Sequence, residues 1–244
     1  MWYVKDMEYD DLHPQVVLGI AAHPDDLDFG ASGTLARFAA EGADVYYLIL
    51  TDGSKGTEDR TLTSEQLVEI RENEQRAAVE AIGGKGVAFL GYPDGGLLVT
   101  LELKEKIARE IRRVKPDVVI TMDPSMLYSA RRGFINHPDH RAAGQAALDA
   151  VFPLARDHLT FPNLLKEGLE PHKTGTVLLT NFDDANFYVD ITDTIDTKQA
   201  ALRAHASQIA DMDGTLGWIT KNAEETGAKA GMRYAEAFVR IDIR

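Results

Sequence analysis

No cysteine occurs among the 244 residues. Disulfides and thiolate metal sites are therefore excluded, and any metal must be held by His, Asp or Glu. Positive charge is scarce as well. Against 39 Asp and Glu stand only 26 Lys and Arg, a formal charge of −13. Such a chain repels phosphate backbones and anionic lipid, so neither nucleic acid nor a membrane is an expected partner. No apolar run approaches a membrane span. The opening MWYVKDMEYDDLHPQ is acidic and lacks the apolar stretch of a secretory leader. A cytoplasmic location is the resulting expectation. Three motifs are also missing. Without GxGxxG, a P-loop or a GxSxG elbow, dinucleotide binding, nucleotide hydrolysis and serine-hydrolase chemistry are disfavoured.

What is present is a 44% hydrophobic chain in which strand and helix patterns alternate. Short apolar runs at 16–22, 44–50, 87–90, 117–122, 176–180 and 187–191 read as strands. Between and after them, helices are predicted at 33–42, 64–82, 101–114, 138–151 and 193–206. Leu35 and Phe38 point inward on the first helix. Ser64 reads as the cap of the second, and Gly83 with Gly84 as its stop. Pro116 closes the third, and Pro138 takes the first position of the fourth. The residues after Gly214 are punctuated by glycine and read as a wrap around the domain. The pattern predicts one α/β domain over 1–244: a Rossmann-like, doubly wound, mainly parallel sheet sandwiched by helices. Ligands of such folds sit at the carboxyl ends of the strands. That rule points at four loops: 22–32, 51–63, 91–98 and 123–137.

The first loop, AAHPDDLDFG, packs His23, Asp25, Asp26 and Asp28 together after a buried strand. Adjacent carboxylates repel unless something positive joins them, and a divalent cation meets that need. The fourth loop ends in INHPDH. With Pro138 at the first helical position, His137 is the N-cap, and His137 and His140 share one helical face. The first and fourth strands are commonly neighbours across the switch point, so the two motifs can meet. Two imidazoles, one carboxylate and a water form a known kind of catalytic zinc site. His23, Asp26 and His140 suit that set, leaving Asp25 and His137 for proton transfer. On spacing alone, Asp25 and Asp26 can exchange roles.

AHPDD at 22–26 and HPDH at 137–140 together resemble the LmbE/PIG-L family of N-acetylglucosamine deacetylases. The likeness runs from about 16 to 151, with a weaker echo in KQAALRAHASQ at 198–208. The resemblance implies a zinc-dependent hydrolase that removes the N-acetyl group from an N-acetylated sugar or related small amide and releases acetate. It implies that His23, Asp26 and His140 bind zinc and that Asp25 is the general base. His137 would assist the tetrahedral intermediate as acid or electrophile, with Asp139 behind it. Arg71, in IRENE, and Asp94, in YPDGG, match the positions that hold substrate. Fe2+ or Mn2+ are alternative ions for such a donor set, and a homo-oligomer is compatible with the family. Two departures stand out. Leu27 follows the paired Asp where the family often has Glu, and Asp28 comes next. Ile135 stands where some members carry a Tyr that polarises the amide carbonyl, leaving that task to Tyr128 or to the metal.

Each residue also has a plainer reading. Asp139 in a first helical turn complements the helix dipole as well as it serves His137. Asp28 reads as a loop hydrogen-bonder. Without the resemblance, Arg71 is a solvated helix residue and Asp94 a turn former. Thr51, Asp52 and Gly53 suit a turn. His13, His158, His172 and His205 read as structural or exposed. Two rival functions remain. In a magnesium-dependent phosphohydrolase of the haloacid-dehalogenase type, Asp26 and Asp28 would follow the first strand, but His23 and HPDH go unused. A non-catalytic, metal-containing sugar-binding domain would bind zinc without turnover.

Overall fold

The computed structural model describes residues 8–9, 12–130, 133–180 and 184–244. In chain order the strands are β1 (Glu8–Tyr9), β2 (Val16–Ala21), β3 (Asp44–Thr51), β4 (Gly86–Tyr92), β5 (Val118–Met122), β6 (Tyr128–Ser129), β7 (Phe134–Ile135), β8 (Thr176–Thr180), β9 (Phe187–Asp190) and β10 (Ala235–Asp242). The helices are α1 (Asp26–Gly30), α2 (Ser32–Ala40), α3 (Ser64–Ala81), α4 (Leu101–Val114), α5 (Pro138–Asp149), α6 (Pro162–Lys166), α7 (Ile195–Arg203) and α8 (Met212–Ala230). Eight strands form one sheet in the order β1-β9-β10-β8-β5-β2-β3-β4, and β6 pairs with β7 in a separate hairpin. Among the described residues, only β10 runs against its neighbours in the large sheet.

The strands read as unbroken apolar runs because both faces of the sheet are covered. Along β2, Val17 and Ala21 face a core shared with Leu35 and Phe38 of α2 and Val79 of α3. Leu18 and Ile20 face the other core, shared with Ile107 of α4 and Ala146 of α5. The period of two divides the strand between the layers. Each fully buried Leu, Ile or Phe stabilises the sandwich by roughly 1.5–3 kcal/mol.

The expected doubly wound, mainly parallel architecture is the one observed. After β2 the chain builds outward through β3 and β4, then returns to place β5 on the other side of β2. The reversal puts a crevice between the carboxyl ends of β2 and β5. Helix α5 lies unusually close to this edge. A Cβ at Gly144 would stand 2.2 Å from the Met122 carbonyl oxygen, so only glycine lets α5 settle against β5 and bring its first turn to the crevice.

Two expectations need correction. The segment after Gly214 is no surface wrap: it contains most of α8 and the whole of β10, which threads between β8 and β9. Glycines inside α8 disguise the helix. At Gly227 the reason is close packing, since a Cβ there would meet the Met232 carbonyl oxygen at 2.7 Å. The cap of α3 is Thr63, one residue earlier than expected. Its hydroxyl accepts from Gln66 N–H while the Gln66 side chain accepts from Thr63 N–H, a reciprocal capping box.

Candidate functional site

The four loops predicted to carry the site converge at the carboxyl edge. In the fourth, 131 and 132 lie outside the described residues. After β2 the chain turns sharply at Asp25, whose φ of 90° and ψ of −31° start the short helix α1. Asp26 and Asp28 occupy that helix. From the other side of the crevice α5 begins at Pro138, with His137 as its N-cap and Asp139 and His140 in the first turn.

Asp26 joins the two motifs. One of its oxygens lies 3.0 Å from His140 Nε2, and the other lies 3.4 Å from His23 Nδ1. That second oxygen also accepts the His23 backbone N–H at 2.7 Å. The rings of His23, His137 and His140 pack mutually, with centroids 4.8 to 5.3 Å apart. One nitrogen from each falls within 4.8 Å of the others. Ligand atoms about 2.0–2.1 Å from one tetrahedral ion stand ~3.3 Å from each other, close to the two Asp26 separations. Among the described residues, the groups whose ligand atoms lie within 4.8 Å of one another are His23, His137 and His140, and His23, Asp94 and Asp139, so His and Asp donors able to hold a divalent cation gather around His23.

The other edge of His23 faces two more carboxylates. Its Nε2 lies 3.1 Å from Asp94 Oδ1 and 3.3 Å from Asp139 Oδ2, meeting neither in hydrogen-bond geometry. Both carboxylates nevertheless set negative charge against this edge of the ring. Burial disfavours a charged His23, yet Asp26 and Asp94 outweigh it and raise the ring to about 10. Burial likewise opposes an ionised Asp26, but His140 and His23 hold it well below the usual carboxylate range. Asp94 is lowered to about 2, chiefly by His23.

Asp25 goes the other way. Burial first, then the adjacent Asp26 charge, raises it to about 7, against the pull of Arg71, His205 and His23. Environment alone thus separates two neighbouring carboxylates, one firmly ionised and one poised near neutrality. His137 is lowered, by burial and then by His23. Its Nδ1 accepts the Asp139 backbone N–H at 3.2 Å, so a neutral ring carries its proton on Nε2.

Three groups lie deeper than a solvated loop or helix face would place them. The Asp139 carboxylate is 1% exposed, accepts from Gly95 N–H at 2.7 Å and Leu97 N–H at 3.1 Å, and faces His23, while its charge also acts to raise His137. Arg71 is buried, its guanidinium donating to the carbonyls of Gly53 and Pro24 and to Asp25 Oδ2 at 3.2 Å. Asp94 is buried too, and its second oxygen accepts from Lys55 N–H. The two residues expected to hold substrate are engaged with the protein itself. Asp28 is fully buried and accepts from Tyr47, Gln75 and His205. It cannot serve as the open second carboxylate of a phosphohydrolase. Leu27 belongs to the core, while Ile135 and Tyr128 face each other across the exposed β6–β7 hairpin.

Sequence reasoning missed Gln75 and the buried role of His205. Gln75 lies one helical turn beyond Arg71 on the same face, and His205 lies within the 198–208 segment, so both had a faint signal. A cavity of about 220 Å³ opens beside His140 and Asp26, walled by Phe29, Met122, Met126 and Phe134. Among the described residues, no helix is long and apolar enough to cross a membrane.

Residues 18–151 match the family described as PIG-L, GlcNAc-PI de-N-acetylase. The chain is 34% identical over 222 residues to a diacetylchitobiose deacetylase of Thermococcus kodakarensis, covering 90% of this chain and 80% of that one. It is 30% identical over 198 residues to a probable N-acetyl-alpha-D-glucosaminyl L-malate deacetylase 2 of Bacillus anthracis, covering 80% and 81%. Among solved structures it resembles N,N'-diacetylchitobiose deacetylase from Pyrococcus horikoshii, with a TM-score of 0.86 at 31% identity over 94% of this chain and 84% of that chain.

Proposed function

Because this chain belongs to the PIG-L family, we propose that it is a metal-dependent amidase that removes the N-acetyl group from an N-acetylglucosamine-type sugar and releases acetate. One observation carries the reading: Asp25, its carboxylate 3.2 Å from the Arg71 guanidinium, stands directly beside a gathering of His and Asp side chains suited to a cation. His23, Asp26 and His140 would hold the ion, zinc by preference and Fe2+ or Mn2+ as alternatives. When bound, the cation supplies Lewis acidity to the amide carbonyl and acidifies the attacking water toward a pKa of ~7.

The protein's own groups do the rest. Asp25 takes the water proton as the new C–O bond forms, and returns it to the amine nitrogen as the C–N bond breaks. Arg71 holds the Asp25 carboxylate in place through the 3.2 Å contact. His137 donates from Nε2 to the developing oxyanion. Its neutral state suits that electrophilic role better than the role of a cationic acid, and one such donor is worth on the order of 3 kcal/mol. Asp139 and Asp94 set negative charge against the His23 ring. The cavity walled by Phe29 and Phe134 would receive the substrate.

A charge of −13 supports a small neutral partner rather than nucleic acid or anionic lipid. The test is a screen of the zinc-loaded protein on N-acetyl sugars with detection of free amine. Amine release that disappears on chelation is expected. Bound zinc without turnover of any N-acetyl compound would favour a sugar-binding domain instead.

A further inference from the structure

The mechanism leaves unused a buried polar cluster beneath Asp25 and the segment after α7 that reaches it. The backbone of Asp25, at φ 90°, adopts a conformation that side-chain-bearing residues rarely take. It persists only where the surroundings over-determine it. Here the Asp25 carbonyl accepts from the N–H groups of Asp28 and Phe29 at 2.8 and 3.0 Å. The Asp25 N–H donates to Gln75 Oε1 at 2.9 Å.

This last bond orients everything behind it. A backbone N–H can only donate, so Gln75 must present its oxygen to Asp25 and its Nε2 to Asp28. That Nε2 donates to Asp28 Oδ2 at 2.8 Å. The same oxygen meets His205 Nε2 at 2.8 Å, and Tyr47 O–H donates to Oδ1 at 3.2 Å. Gln75, Asp28 and His205 are all 0% exposed, so water does not compete for these bonds. The far end is pinned as well: Ser207 donates from N–H and Oγ to the Glu74 carboxylate, both at 2.7 Å.

We propose that His205 is a positioning residue for the general base, acting through Asp28 and Gln75 to fix the main chain of Asp25. The inference rests on the assignment of Asp25 as the base.

The test compares steady-state kinetics of the zinc-loaded wild type, Asp25→Asn, Gln75→Met, His205→Leu and the double variants with Asp25→Asn. The substrate is whichever N-acetyl sugar the wild type turns over. Gln75→Met keeps the volume and removes both hydrogen bonds. It should lower kcat about 10²-fold, the scale of a 1 Å misplacement, at unchanged KM and full metal content. In the Asp25→Asn background it should cost nothing further. His205→Leu should follow the same pattern, and if it does not fold, the Gln75 variants decide. An equal loss in both backgrounds, or an unchanged kcat per bound metal, would reduce the cluster to a structural role. Wild-type turnover by Asp25→Asn itself would remove the base assignment, and the proposal with it, a failure distinct from the first.

Discussion

The Asp26 carboxylate lies 3.0 Å from His140 Nε2, although the two residues follow different strands and sit on different helices. Their meeting depends on β5 returning to pair with β2 and on α5 packing tightly against β5. The chemistry assigned to the site therefore depends on fold details that can be perturbed one at a time.

The closest of these is Gly144. A side chain there would collide with the Met122 carbonyl, so Gly144→Ala must push α5 outward or strain β5. Overpacking of this kind costs about 1–3 kcal/mol. The expected result is a lower Tm together with weaker metal binding, because His140 rides on the displaced helix. Thermal melts with and without zinc check both, and metal affinity equal to wild type would show that the helix position is not what sets the cluster.

Asp25 is the second case. Asp25→Asn should keep its metal and lose about 10²–10⁴-fold in kcat, the usual contribution of a positioned base. The working form is the carboxylate. With the group raised to about 7, kcat/KM should fall as pH drops through and below neutrality, and a bound cation will move that limb to lower pH. The limb should vanish in Asp25→Asn. A rate profile measured from pH 4 to 9 on both proteins decides the matter. An unchanged acid limb in the variant would assign it to another group.

His205 gives a stability prediction with a definite sign. Burial pulls the ring down, but the bond to Asp28 and the charges of Asp28, Asp25 and Glu74 raise it above its ordinary value. A raised folded pKa stabilises the protein fully below the unfolded value near 6.5. That stabilisation is lost as pH rises through the folded value. Denaturant titrations of wild type and His205→Gln should show the larger difference at pH 5.5 and the smaller at pH 9. The reverse order would mean that the buried ring is neutral.

How much of this was readable beforehand follows from the physics of each part. The strands 16–22 and 117–122 were legible because burial on both faces makes them uninterrupted apolar runs. The meeting of AHPDD with HPDH followed from the switch-point rule. Strand β10 was not read from the sequence: its eight residues, AEAFVRID, form no uninterrupted apolar run, and what holds them in the sheet is pairing with β8 and β9. Arg71 and Asp94 were located, but their burial was not legible, since a charged helix face and a PDGG turn look solvated in one dimension. Only the packed loops of Gly53, Lys55 and Gly95 reveal them as buried. The cluster around Asp28 was hidden for the same reason, because its members come from α1, β3, α3 and the segment after α7.

The central claim is a cation held by His23, Asp26 and His140, and zinc stoichiometry by native mass spectrometry tests it most directly. Wild type should carry one ion per chain, and His140→Ala, equally folded by circular dichroism, should carry none at the same zinc concentration. A His140→Ala protein that binds one ion as tightly as wild type would contradict the account.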